Sequence, residues 1–143
     1  MSTERRRRRR GRHESVGGGA ATEALQDLVG QFADPHAFVR ELIQNSLDAG
    51  ASSIEVVMDY ADAILTVAVI DDGSGMDRET IEGYLLTLFR STKEDALTKI
   101  GKFGIGFVSL FAIGPTQVVV DTGRDAIWLQ VVFAADRSYT LYE

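Results

Sequence analysis

The chain is 143 residues long, enough for one domain with one sizeable core, and its 45% hydrophobic and 25% charged content is that of a soluble globular protein rather than a disordered or fibrous one. It contains no cysteine, which excludes disulfides, thiolate metal sites and cysteine nucleophiles, and its two histidines, His13 and His36, are too few for a histidine-based metal cluster. The net charge of -6 is unevenly spread: residues 1–14 hold seven arginines against two glutamates, leaving -11 for residues 15–143, an acidic balance that argues against a nucleic-acid-binding face on the folded part.

In chain order, "MSTERRRRRRGRHESVGGGAA" combines like charges with glycines and cannot bury enough apolar surface to offset its ordering entropy, so residues 1–21 are expected to form a disordered tail. The arginine run leads into glycines rather than an apolar core, and no apolar run approaches a membrane span. Neither a Sec nor a twin-arginine signal is supported, and a cytoplasmic location is the default expectation. "TEALQDLVGQF" follows with Leu25, Leu28, Val29 and Phe32 at helical spacing and Thr22 available as N-cap. "DPHAFVRELIQNSLDAG" is a stronger helix: Asp34 can cap, Pro35 suits the first turn and Gly50 suits the left-handed C-terminal position.

Two strands are predicted next, "SIEVVMDY" and "AILTVAVID", rich in β-branched residues and joined as an antiparallel hairpin through "ADA". "DDGSGM" then breaks regular structure, and "DRETIEGYLLTLF" reads as a helix with Asp77 near its start. "RSTKEDALTKIGKFGIGF" is a polar and then glycine-rich connection, and "VSLFAIG" a short buried helix. "TQVVVDTG", "AIWLQVVFAA" and "SYTLYE" complete the chain as antiparallel strands with turns near Gly123 to Asp125 and Asp136 to Arg137. The expected architecture is an α/β (α+β) two-layer sandwich, with one mixed, mostly antiparallel sheet and helices over one face.

Three stretches carry candidate chemistry. On the second helix, at about 100° per residue with Phe38 as zero, Phe38, Leu42, Ile43 and Leu47 occupy one half, the pattern of burial. Glu41, Asn45 and Asp48 fall at about 300°, 340° and 280°, a stripe bordering that apolar half. Polar groups on such an edge are half desolvated and suit ligand or metal contact, although E-x-x-x-N-x-x-D alone is equally the pattern of a solvated helix edge. "IDDGSGM" puts Asp71 at the end of an apolar strand before Gly73 and Gly75, where a fixed carboxylate can accept a hydrogen bond from an exocyclic amine; a tight Asp-Gly turn reads the same way, and Asp72 is the solvated member of the pair. "GKFGIGF", Gly101 to Phe107, precedes an apolar helix, and its backbone amides can cradle phosphates, although a flexible loop reads the same way. It matches neither a Rossmann fingerprint nor a Walker A loop.

Taken together and in order, "ELIQNSLDAGA", "DDGSGM" and "GKFGIGF" resemble the GHKL superfamily of ATPases, which includes DNA gyrase B subunits, 90-kDa heat-shock chaperones, sensor histidine kinases and MutL mismatch-repair proteins. The resemblance covers roughly residues 22–135; "QNSLDAGA" is close to the MutL phrase and "KIGKFGIGF" to the chaperone and MORC-type branch. It implies a Bergerat fold for residues 22–143, with ATP and Mg2+ between helices and sheet and slow ATP hydrolysis coupled to lid closure and partner contacts. Carried over by position, it implies Glu41 as the acid that activates water and Asn45 as the magnesium ligand. Asp71 reads the adenine amine, with Gly73 and Gly75 in its loop and Ala49 and Met76 lining the base pocket. Gly101, Phe103, Gly104, Ile105, Gly106 and Phe107 surround the phosphates. Arg90, Lys93 and Lys102 are the available cations, and Arg90 to Ile100 corresponds to the lid.

Relatives continue beyond this point with another strand and a further domain, so the chain is expected to be a truncated or minimal nucleotide-binding module working with a protein partner, an additional domain or a second copy. Two other readings stay open: a nucleotide-responsive or kinase-like regulatory module that does no chemistry, and a nucleic-acid or anionic-surface contact through the tail from Arg5 to Arg12.

Overall fold

A computed structural model describes residues 12–14, 36–86 and 104–143. The elements, in chain order, are strand β1 (Arg12–Glu14), helix α1 (Ala37–Asp48), strands β2 (Ile54–Ala61) and β3 (Ile64–Asp71), and helix α2 (Arg78–Thr80), which continues as a π-helical turn (Ile81–Leu85). Helix α3 (Gly104–Val108) runs into a 3-10 turn (Ser109–Ile113) and is followed by strands β4 (Gln117–Arg124), β5 (Ile127–Ala134) and β6 (Tyr139–Tyr142). The expected helix at 22–32, Asp34, Pro35, the lid segment and the cations Arg90, Lys93 and Lys102 lie outside the described residues, as do Gly101 and Phe103.

Helices and antiparallel sheet combine as the α/β expectation requires. In place of one sheet, however, the described strands form two: a four-stranded sheet in the order β1-β6-β5-β4, and a separate β2-β3 hairpin. All of their pairings are antiparallel. β1 is a correction to the reading of residues 1–21 as wholly disordered: Arg12 pairs with Leu141, His13 with Thr140 and Glu14 with Tyr139. Backbone pairing does not depend on side-chain hydrophobicity, and a short charged strand suits a sheet edge.

The β2-β3 and β4-β5 hairpins use the same turn. Asp62 and Ala63 have φ of 52° and 61°, and Asp125 and Ala126 have φ of 52° and 62°. Two successive positive φ values define the type I′ geometry, whose twist matches that of the flanking strands. The second turn therefore falls after Arg124, and Gly123, expected in the turn, belongs to β4 and faces Trp128 across the ladder.

The core lies between the four-stranded sheet and the helices. Alternate residues Leu129, Val131 and Phe133 of β5, with Tyr139 and Leu141 of β6, face inward to meet Ile81, Leu85 and Leu86 of the α2 region and Phe107, Val108 and Phe111 of the α3 region. Four rings interlock at its centre: Phe133 stands 5.5 Å from Phe107, 5.7 Å from Phe111 and 5.8 Å from Tyr139, in tilted or edge-on arrangements, the geometry that aromatic quadrupoles favour. Asp77 caps α2 by accepting from the Thr80 N–H at 2.7 Å. The π-helical turn places Ile81, Leu85 and Leu86 together in the core, with a Leu86 N–H to Ile81 carbonyl bond of 2.9 Å.

The hairpin is packed less completely. One of its faces carries Ile54, Val56, Met58, Tyr60, Leu65, Val67 and Val69, yet Val56, Met58, Tyr60 and Leu65 are exposed. Among the described residues, no helix is long and apolar enough to cross a membrane.

Candidate functional site

Helix α1 sits at the junction of these parts, in contact with β3, α3 and the following 3-10 turn. It begins after His36, later than the expected cap at Asp34, and stops as its sequence anticipates, where Gly50 turns left-handed at φ 73°. Its buried residues are Ala37, Phe38 and Ser46, whereas Leu42 and Ile43 are half-buried. Leu47, expected in the apolar half, is instead 54% exposed. At about 100° per residue it lies opposite Phe38, on the far side of the cylinder from the packed face.

The stripe of Glu41, Asn45 and Asp48 is divided by this placement. Glu41 and Asn45 are half-buried, while Asp48 is exposed and accepts from the Gln44 amide at 3.0 Å along the helix surface. Glu41 lies against the glycine loop: a Cβ placed on Gly106 would stand 3.0 Å from its Oε2 and 3.2 Å from its Cβ. The absence of a side chain at Gly106 lets the α3 backbone approach this carboxylate. Arg40 is the neighbouring cation, 3.7 Å from Glu41 Oε1.

Asp71 ends β3 beside the other end of α1. Its Oδ2 accepts from the Ser46 hydroxyl at 2.8 Å and its Oδ1 from the Gly73 N–H at 2.9 Å. A carboxylate with one donor on each oxygen has a fixed plane, yet Asp71 remains exposed and keeps further lone pairs for a ligand.

The "DDGSGM" loop is fastened on both sides. Toward α1 and β2, Ser74 N–H donates to the Ala49 carbonyl at 3.0 Å. Asp72, read from sequence as merely solvated, accepts from Ser52 N–H at 2.8 Å, Ser53 N–H at 2.9 Å and the Ser52 hydroxyl. Those bonds hold its carboxyl below the usual carboxylate range, led by the Ser52 hydroxyl. Toward the other sheet, Met76 N–H donates to Oγ1 of the buried Thr122 at 2.8 Å. Gly75, with φ 66°, lies so close to Gly123 that an added Cβ would stand 2.1 Å from the Gly123 carbonyl oxygen. Met76 itself packs on the core.

At the glycine loop, Gly104 to Phe107 form the first turn of α3, so the helix starts four residues earlier than the predicted Val108. Phe107 is 6% exposed with its ring in the aromatic cluster, so any ligand contact it makes is through its backbone. Ser109 donates to the Gly106 carbonyl, closing this turn.

The structure therefore brings Glu41, Asn45, Ala49, Asp71, Gly73 and Gly106 around α1, places Met76 against the core and β4, and leaves Asp48 on the exposed side of the helix. Sequence reasoning passed over Ser46 and Thr122 and read Asp72 only as a solvated residue. Ser46 projects between Leu42 and Ile43 on α1, a small polar residue on an apolar face, and that was the available signal. A small depression of about 100 Å³ lined by Asp121, Trp128, Leu129 and Gln130 is separate from these residues.

Comparison with known proteins meets the geometry here. Residues 34–137 match the sequence model of the family described as histidine kinase-, DNA gyrase B-, and HSP90-like ATPase. The chain is 33% identical over 102 residues to the DNA mismatch repair protein MutL of Chlorobium phaeobacteroides, covering 68% of this chain and 16% of that protein. It is 31% identical over 127 residues to the chaperone protein HtpG of Rhodopseudomonas palustris (strain BisB5), covering 68% and 20%. A MutL protein of Halobacterium salinarum is 35% identical over 92 residues, covering 63% and 14%. The chain thus spans a fifth or less of the length of these relatives.

Proposed function

Because the chain belongs to the histidine kinase-, DNA gyrase B- and HSP90-like ATPase family, we propose that the residues around α1 bind ATP with Mg2+ and hydrolyse it slowly, in a chaperone-like cycle coupled to contacts with a partner. The observation that supports this reading is that one helix touches both the Asp71 loop and the glycine loop. Ser46 holds Asp71 near the C-terminal end of α1, and one and a half turns earlier Glu41 lies against Gly106.

In this reading Asp71 accepts a hydrogen bond from the adenine amine, Ala49 and Met76 line the base, and the backbone from Gly101 to Phe107 faces the phosphates. Glu41 takes the proton of the attacking water. Its half-exposed position and the small Gly106 beside it leave it accessible to that water.

The donor set fits magnesium carried by a nucleotide. Among the described residues, no three His, Cys, Asp or Glu side chains converge to hold a metal alone. Magnesium favours oxygen ligands, retains waters and is commonly shared with phosphates, so the Asn45 side-chain oxygen is sufficient as the protein's contribution. When bound, the ion would neutralise phosphate charge. The chain's own residues orient base and water.

Calorimetric titration with ATP and a non-hydrolysable analogue, each with magnesium, tests the binding half of the proposal. Wild-type protein binds both and Asp71→Asn binds neither. Unchanged affinity in Asp71→Asn would overturn the assignment of the base.

A further inference from the structure

We infer that Ser46 is a positioning residue for base recognition: its hydroxyl fixes the Asp71 carboxylate so that the free lone pairs point to a six-amino purine. The inference rests on the reading of Asp71 given above and adds a residue to it. Ser46 is 4% exposed and sits on the packed face of α1, where a polar side chain requires a partner. Two acceptors lie within reach of its hydroxyl, Asp71 Oδ2 at 2.8 Å and the Leu42 carbonyl at 3.1 Å. A serine hydroxyl carries one hydrogen, and the shorter contact to an ionised oxygen is the stronger of the two.

The Gly73 N–H binds the opposite oxygen at 2.9 Å. Without the serine, Asp71 is held from one side only, by its own loop, and its carboxyl plane can rotate about the last side-chain bond. With both donors in place, the plane is set by two separate segments, a helix and a loop. The remaining acceptor sites, on the two oxygens, then have fixed directions, which favours a ligand whose donor arrives along one of them and disfavours a purine that offers none.

The test pairs Ser46→Ala with two ligands, ATP and purine riboside 5′-triphosphate, which lacks the six-amino group and keeps every phosphate contact. Wild-type protein binds ATP more tightly than the amine-free analogue. Ser46→Ala is expected to weaken ATP binding about tenfold while leaving the analogue's affinity unchanged, which also reports an intact fold. Equal losses for both ligands, or no loss for either, would overturn the inference while leaving wild-type discrimination intact. If wild-type protein itself binds the two ligands equally, Asp71 does not read the amine, and the inference falls together with the reading beneath it.

Discussion

Glu41 and Gly106 are in direct contact across the α1–α3 boundary, with Glu41 Oε2 at 3.0 Å from the position a Cβ would take on Gly106. The proposed water-activating carboxylate and the backbone proposed to face the phosphates thus share one surface, and a single methyl group can separate them. Gly106→Ala should leave the melting temperature within a few degrees of wild type, because alanine's better helix propensity, about 1 kcal/mol, offsets the tight contact. ATP turnover, measured as phosphate release, should fall about tenfold or more as Glu41 is pushed aside. Glu41→Ala should abolish turnover and spare ATP binding; unchanged hydrolysis would remove Glu41 from the mechanism.

Two left-handed glycines should respond very differently to alanine. At Gly50, φ is 73° and nothing lies within 4 Å of an added Cβ, so the variant should lose only about 1 kcal/mol, the backbone cost of a left-handed alanine. At Gly75 the same cost adds to an overlap with the Gly123 carbonyl, giving a loss of about 2–4 kcal/mol. Urea unfolding of the two variants side by side checks the ranking.

Thr122→Val preserves shape and deletes an acceptor. The Met76 N–H then loses its partner in a partly buried position, which costs about 1–3 kcal/mol. A weaker ATP affinity should accompany the loss of stability, since Met76 ends the Asp71 loop. A variant as stable as wild type would show that water replaces the hydroxyl.

Acid should loosen the loop through Asp72. Its folded pKa is lowered by the Ser52 hydroxyl and the Ser52 and Ser53 amides, so its stabilising effect is present above the unfolded carboxylate value and is lost as pH falls through the folded one. Asp77 acts in the same direction, through Thr80 first and Arg124 to a smaller degree. Denaturation midpoints measured between about pH 2 and pH 5 should fall less steeply in Asp72→Asn than in wild type, and the variant should be less stable at neutral pH. A parallel slope would rule out Asp72 as a contributor.

Much of the architecture was legible because local chemistry and tertiary packing agree. Gly50 ends α1, Asp77 caps α2, and the alternating β-branched runs became strands with the expected partners. The misreadings share another cause: a helix projection knows the period but not where the neighbouring layers stand. Leu47 therefore looked buried and is not, and the projection could not show that Ser46 reaches a carboxylate 25 residues away in sequence. Asp72 likewise finds Ser52 and Ser53 only once the hairpin has closed. β1 was hidden by its composition, since arginines say nothing about backbone pairing. Neither the separation of the hairpin from the larger sheet nor the contact between Gly75 and Gly123 is encoded by a local pattern.

That glycine contact has a practical side. Gly123 presses on the Trp128 ring from the opposite strand, its would-be Cβ falling 2.9–3.1 Å from the indole carbons, and Trp128 is the sole tryptophan of the chain. Trp128 is 69% exposed, and its contact with Gly123 is the part of its surroundings that a movement of the Asp71–Met76 loop would change. Gly75 of that loop meets Gly123 and Gly123 meets the indole, so a shift of the loop is expected to alter the surroundings of Trp128. The chain carries a built-in optical probe two contacts from the loop that follows Asp71, and movement of that loop can be followed without attaching a dye.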